Sequence, residues 1–191
     1  MSLINKSIFL LILLSLIHFG HDAYAANRRA IDFNLKNFDD KILTLQVLES
    51  RVTVLTFSYA FCSVRCPIIT GRFSSLDRSM NAPQNVVYLH VSVDPPMDTP
   101  ENRKKYFSLY GIDTVKDKRW MFVSGQEAEL SKLWRFYGIT VKKIESKGIP
   151  EGYYMEYTPK VVVIGRDGLI VYETDFFFNE DEIAKRIRGT R

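Results

Sequence analysis

The chain has 191 residues, 46% apolar and 25% charged, with 13 Phe, 10 Tyr and 2 Trp. That composition excludes a disordered chain, a collagen-like fibre and a polytopic membrane protein, and it supplies one sizeable core. A net charge of +4 is too small to argue for nucleic acid, and 2 Cys exclude a disulfide-dense scaffold.

The first segment opens with Lys6, an apolar stretch from Ile8 to Ile17 broken only by Ser15, and Ala23-Tyr24-Ala25. A basic start, a short apolar run and a small-x-small site make residues 1–25 a secretory signal peptide. The rival is an uncleaved anchor, but a spanning helix wants about 20 apolar residues. That is roughly twice this run, and His18, His21 and Asp22 suit lipid poorly. Cleavage after Ala25 leaves residues 26–191 as a single domain that meets the membrane only in transit. Export to the periplasm or a similar space puts both cysteines where a disulfide persists. Of the three histidines, only His90 stays.

In chain order, Phe33-Asn34-Leu35 and Ile42 to Leu45 flank Asp39-Asp40-Lys41, an N-terminal β-hairpin. Val52 to Ser58 is a β-rich central strand. Ile69, Phe73, Leu76 and Met80, spaced 4, 3 and 4, mark one face of a helix. Val86 to Val93 is a second strand. Thr99-Pro100-Glu101 opens a helix, with Thr as N-cap and Pro at the first position. Arg119 to Ser124 is a strand, and Leu130, Leu133, Trp134 and Tyr137 lie on a helix that Gly138 ends. Ile139 to Tyr154, polar and glycine-bearing, is expected to be a loop near the active end. Lys160 to Ile164 and Leu169 to Glu173 are strands joined through Asp167-Gly168, and Asn179 to Arg188 is the last helix. Strands alternating with helices predict an α/β sheet covered on both faces, with a parallel portion. Arg28-Arg29 is expected to be a solvated terminus.

Cys62 and Cys66 follow the first central strand, at the carboxyl end where functional groups of α/β sheets gather. Four residues of helix rise about 6 Å, and a disulfide accepts Cα separations of about 4.4–6.8 Å, so the two can bridge. Pro67 places the helix start within a few residues of Cys66. The positive helix terminus, and Arg65 if it points inward, would favour thiolate. A loop this short is a poor structural staple, which points to redox exchange or soft-metal binding.

Phe57–Pro67 (FSYAFCSVRCP), then Ser92-Val93-Asp94-Pro95 with Asp98-Thr99-Pro100-Glu101, then Val161–Gly168 (VVVIGRDG), together resemble the Sco/SenC family. The resemblance runs from about Phe33 to the last helix. It implies a thioredoxin-like fold, a central mixed sheet flanked by helices, and a role in copper delivery or thiol redox during respiratory-oxidase assembly. It also implies copper ligation by the two cysteines and a histidine. Here the run at that place is Met155-Glu156-Tyr157-Thr158-Pro159, and Tyr157 stands where the histidine is expected. His90, opposite Leu89 and Val91 on its strand, reads as a core residue. Without imidazole, Cu(II) loses its nitrogen donor, whereas Cu(I) accepts two thiolates. Met155 or Met97 offers a thioether, though packing explains either, and Tyr157 is a poor ligand. Thr158-Pro159 resembles the cis proline that packs against the cysteine pair in thioredoxin-like oxidoreductases. Asp94 either tunes the cysteines or caps the next turn.

The first functional reading is therefore an exported dithiol reductant with catalytic Cys62 and Cys66. Asp94, Tyr157 and Pro159 support them, and no cofactor is required. The partner implied is a copper-site or thiol-bearing protein of a respiratory oxidase. The second is a Cu(I) metallochaperone using the same pair. The third is a thiol peroxidase: Ser63 lies three before Cys66, but Tyr59 replaces the proline such enzymes carry upstream.

Overall fold

Val52–Ser58 and Val86–Ser92 are buried at every position, as strands covered on both faces must be. The computed structural model describes residues 28–190, and the expected signal peptide lies outside them. The strands are β1 (Arg28–Arg29), β2 (Leu35–Lys36), β3 (Ile42–Leu43), β4 (Val52–Ser58), β5 (Val86–Ser92), β6 (Trp120–Val123), β7 (Val141–Glu145), β8 (Tyr153–Tyr157), β9 (Val161–Ile164) and β10 (Leu169–Thr174). The helices are α1 (Leu45–Leu48), α2 (Arg65–Ser79), α3 (Pro100–Ser108), α4 (Glu127–Phe136) and α5 (Glu180–Gly189).

The main sheet runs β1-β10-β9-β4-β5-β6. β4, β5 and β6 are parallel, while β9 is antiparallel to β4 and β10 to β9. This is the thioredoxin-like mixed sheet. Alternation sends Ser58 and His90 to one face, where Phe73 of α2 and Phe107 of α3 meet the imidazole edge-on. Phe57 points to the opposite face and packs on Tyr137 at the end of α4.

The N-terminal hairpin forms as expected from β2 and β3, but its second strand stops at Leu43. Thr44 caps α1 instead, its hydroxyl accepting from the Val47 N–H at 3.3 Å. Thr99 caps α3 as its sequence requires. One expectation needs correction and one is extended. Arg28-Arg29 is exposed as expected and is also an edge strand: β1 pairs with β10, and Arg28 bonds Glu173 at 2.5 Å and lies over the Phe136 ring. The segment Ile139 to Tyr154 is mostly a second hairpin, in which β7 pairs with β8 in a two-stranded sheet of its own. No buried face imposes a two-residue apolar period on it, so its sequence reads as polar loop.

Candidate functional site: a cysteine pair at the end of the central strand

β4 delivers the chain to Tyr59, and α2 begins at Arg65. Pro67 is tolerated because an N–H in the first helical turn has no intrahelical acceptor. Across this turn Cys62 and Cys66 are disulfide-bonded, with Cα atoms 5.7 Å apart. The two sulfurs have different surroundings. Cys62 lines an open pocket of about 280 Å³ with Ser63, Val64, Arg65, Tyr154, Met155 and Glu156. Cys66 has no exposed surface. The Cys66 N–H donates to Cys62 Sγ at 3.2 Å, while Cys66 Sγ lies 3.1 Å from the Tyr157 hydroxyl.

The β7–β8 hairpin brings Tyr157 to that place. Arg65 donates to its backbone carbonyl at 3.3 Å, and Tyr59 meets its ring edge-on. Burial, with Tyr59 adding to it, pushes the Tyr157 phenol well above its usual range, so it stays protonated at neutral pH.

The other expected site residues lie further out. Asp94 is buried and does not line the pocket; it accepts from the Tyr153 hydroxyl at 3.0 Å. Burial raises its carboxyl, against the pull of Tyr153. Met155 lines the pocket and Met97 does not. Pro159 does not line it either, and no peptide bond among the described residues is cis. The Thr158–Pro159 bond is therefore trans. His90 is fully buried, its Nδ1 3.0 Å from the Ser58 hydroxyl.

One carboxylate went unassigned at the sequence level. Asp98 accepts from the Ala60 N–H at 2.7 Å and from the Ser92 hydroxyl at 2.5 Å, which ties the turn before Cys62 to the end of β5. Arg103 backs it, donating to the Asp98 carbonyl at 2.9 Å. Asp98 stands in the quoted Asp98-Thr99-Pro100-Glu101 run, but its bond to Ala60 spans 38 residues and no local spacing gives it.

The SCO1/SenC family model matches residues 21–190. The chain belongs to the SCO1/SenC family. A SCO1 protein homolog of Bacillus subtilis (strain 168) is 27% identical over 141 residues, which cover 73% of this chain and 69% of that protein. ScoI of Bradyrhizobium japonicum, solved with copper bound, is 27% identical with a TM-score of 0.72, covering 86% of this chain and 100% of that one. BsSco is a member of the Sco family of cytochrome c oxidase assembly proteins in which a disulfide switch was identified. It shares the fold at 24% identity, with a TM-score of 0.70 over 86% of this chain and 94% of that one.

In this SCO1/SenC chain the two cysteine sulfurs, once reduced, are soft donors of the site. Among the described residues, no three His, Cys, Asp or Glu side chains gather to hold a metal. The set suits Cu(I) as a cargo, and it lacks the imidazole that Cu(II) favours.

Two buried groups set an acid–base balance beneath the site. Burial drops His90 to about 3 from 6.5. The unfolded chain therefore takes up that proton first, and stability is lost as pH falls from 6.5 toward 3. Burial, opposed by its hydrogen bonds to Ser92 and Ala60, lifts Asp98 from 3.8 to about 7. Its contribution is fully present below 3.8 and is lost as pH rises toward 7. Between 3.8 and 6.5 the slopes oppose. Asp98→Asn should unmask the His90 slope: stability rises with pH there, by at most about 1.4 kcal/mol per pH unit. Urea melts of both proteins at about pH 4.5 and about pH 6.5 check this, and equal slopes in the two would refute it.

Proposed function

We propose that this protein is an exported thiol–disulfide reductant that acts on a copper-site or other thiol-bearing protein during respiratory-oxidase assembly. Residues 1–25 serve as its signal peptide and residues 26–191 as one thioredoxin-like domain. The observation that carries the reading is the unequal cysteine pair, with Cys62 in the pocket and Cys66 covered by a tyrosine hydroxyl. Membership of SCO1/SenC supports the setting, as do the copper-bound ScoI and the disulfide switch of BsSco.

In the reduced protein, the Cys62 thiolate attacks one sulfur of a client disulfide. That bond breaks, and the client's other sulfur leaves and takes a proton. The Cys66 thiolate then attacks Cys62 Sγ and releases the second client thiol. Two electrons have passed to the client, and the protein is left as the disulfide seen here. An exported dithiol reductant must supply the next pair. Val64, 65% exposed, lines the pocket beside Cys62 and gives a client an apolar contact.

A second reading keeps one observation: two soft sulfurs with Met155 beside the pocket are a donor set for Cu(I). Anaerobic titration of the reduced protein with Cu(I) against a competing chelator separates the two. The reductant reading expects no competitive binding, together with catalysed reduction of a disulfide-bridged copper-site peptide. Tight one-to-one binding, lost in Cys62→Ser/Cys66→Ser, together with no such reduction, would transfer the function to copper delivery.

A further inference from the structure

Opening the disulfide puts negative charge on each sulfur in turn, and the two sulfurs have separate donors. Cys62 Sγ faces the N–H of Cys66 at the start of α2, where unpaired amides carry partial positive charge. Cys66 Sγ, on the same residue as that amide, faces only inward. It has no contact with solvent, and the polar group given to it is the Tyr157 hydroxyl at 3.1 Å. A thiolate formed there without a donor would carry the full cost of an unpaired buried charge.

We propose that Tyr157 is a catalytic residue, whose hydroxyl donates a hydrogen bond to Cys66 Sγ as the Cys62–Cys66 bond breaks and thereby makes Cys66 the leaving sulfur. This rests on the thiol-redox reading above. An incoming thiolate attacks Cys62 Sγ and joins it. The Cys62–Cys66 bond pair passes to Cys66 Sγ, and the Tyr157 O–H turns its hydrogen to that charge. A second thiol, as thiolate, then attacks the first at its own sulfur and frees Cys62. Two thiols become one disulfide, and the protein disulfide becomes a dithiol. Arg65 fixes the donor by holding the Tyr157 carbonyl, and Tyr59 fixes its ring. The same bond holds the reduced state in equilibrium, so Tyr157 also sets the potential of the couple.

The test equilibrates the whole protein with reduced and oxidised glutathione and measures the dithiol-to-disulfide ratio. Tyr157→Phe should shift that equilibrium toward the disulfide by about tenfold, which for two electrons is about 30 mV more negative. Opening of the oxidised protein by glutathione should slow by a similar factor. Replacing Tyr157 with a ring-fluorinated tyrosine, a stronger donor of the same shape, should shift both the other way. That variant keeps the ring, so it decides the matter even if Tyr157→Phe folds poorly. Unchanged constants in the folded variants would overturn the role. Neither measurement uses a client or copper, so failure of the reductant reading would not alter the result.

Discussion

Cys66→Ser should capture a disulfide-bearing client and fail to release it, whereas Cys62→Ser should do neither. The reason lies in reach. Cys62 opens into the pocket, and Cys66 is sealed beneath Tyr157 and bonded through its carbonyl to the Thr70 hydroxyl at 2.8 Å. A client sulfur reaches only the first. With Cys66 gone, the mixed disulfide has no internal thiolate to resolve it, and turnover falls to the uncatalysed level. Mass spectrometry of reduced variants incubated with a disulfide-bridged copper-site peptide reads this directly. An adduct on Cys62→Ser, with none on Cys66→Ser, would reverse the assignment of the two sulfurs.

Tyr157→His should convert the site into one that holds Cu(II). Tyrosine places its hydroxyl against Cys66 Sγ itself. Imidazole is shorter, so at the same backbone position it leaves a gap between ring nitrogen and sulfur. A metal ion bonded to both fits in such a gap, and imidazole adds the nitrogen donor that suits copper beside the thiolates. Affinity for Cu(II) should rise by at least about tenfold, or 1.4 kcal/mol, with a visible thiolate-to-copper absorption that the parent lacks. Parent and variant with equal Cu(II) affinity would show that residue 157 does not decide the ligand set.

Much of the fold was legible because its signals are local. Runs such as Val52–Ser58 and Val161–Ile164 announce buried strands, and Thr99-Pro100 announces a helix start. The cysteine pair, the turn that follows β4 and the absence of histidine at 157 were equally plain. The β7–β8 hairpin was not, since Tyr157 is the one buried residue of its two strands. Nor was β1, two arginines whose strand character comes wholly from β10. The trans bond before Pro159 follows from tertiary context that no dipeptide carries. Tyr153 and the Ala60 tie of Asp98 were missed for a related reason, because those bonds join residues dozens of positions apart. Tyr157 was singled out for what it replaces, and only the folded chain gives it an atom to act on.

The floor and the roof of the redox centre belong to different parts of the molecule. β4 and α2 make the floor, locked into the six-stranded sheet and its helical cover. The roof is one residue at the end of a hairpin whose strands, among the described residues, pair only with each other. On the proposed reading, a substitution at position 157 alters what the sulfurs meet, disulfide or metal, without touching a strand of the six-stranded sheet.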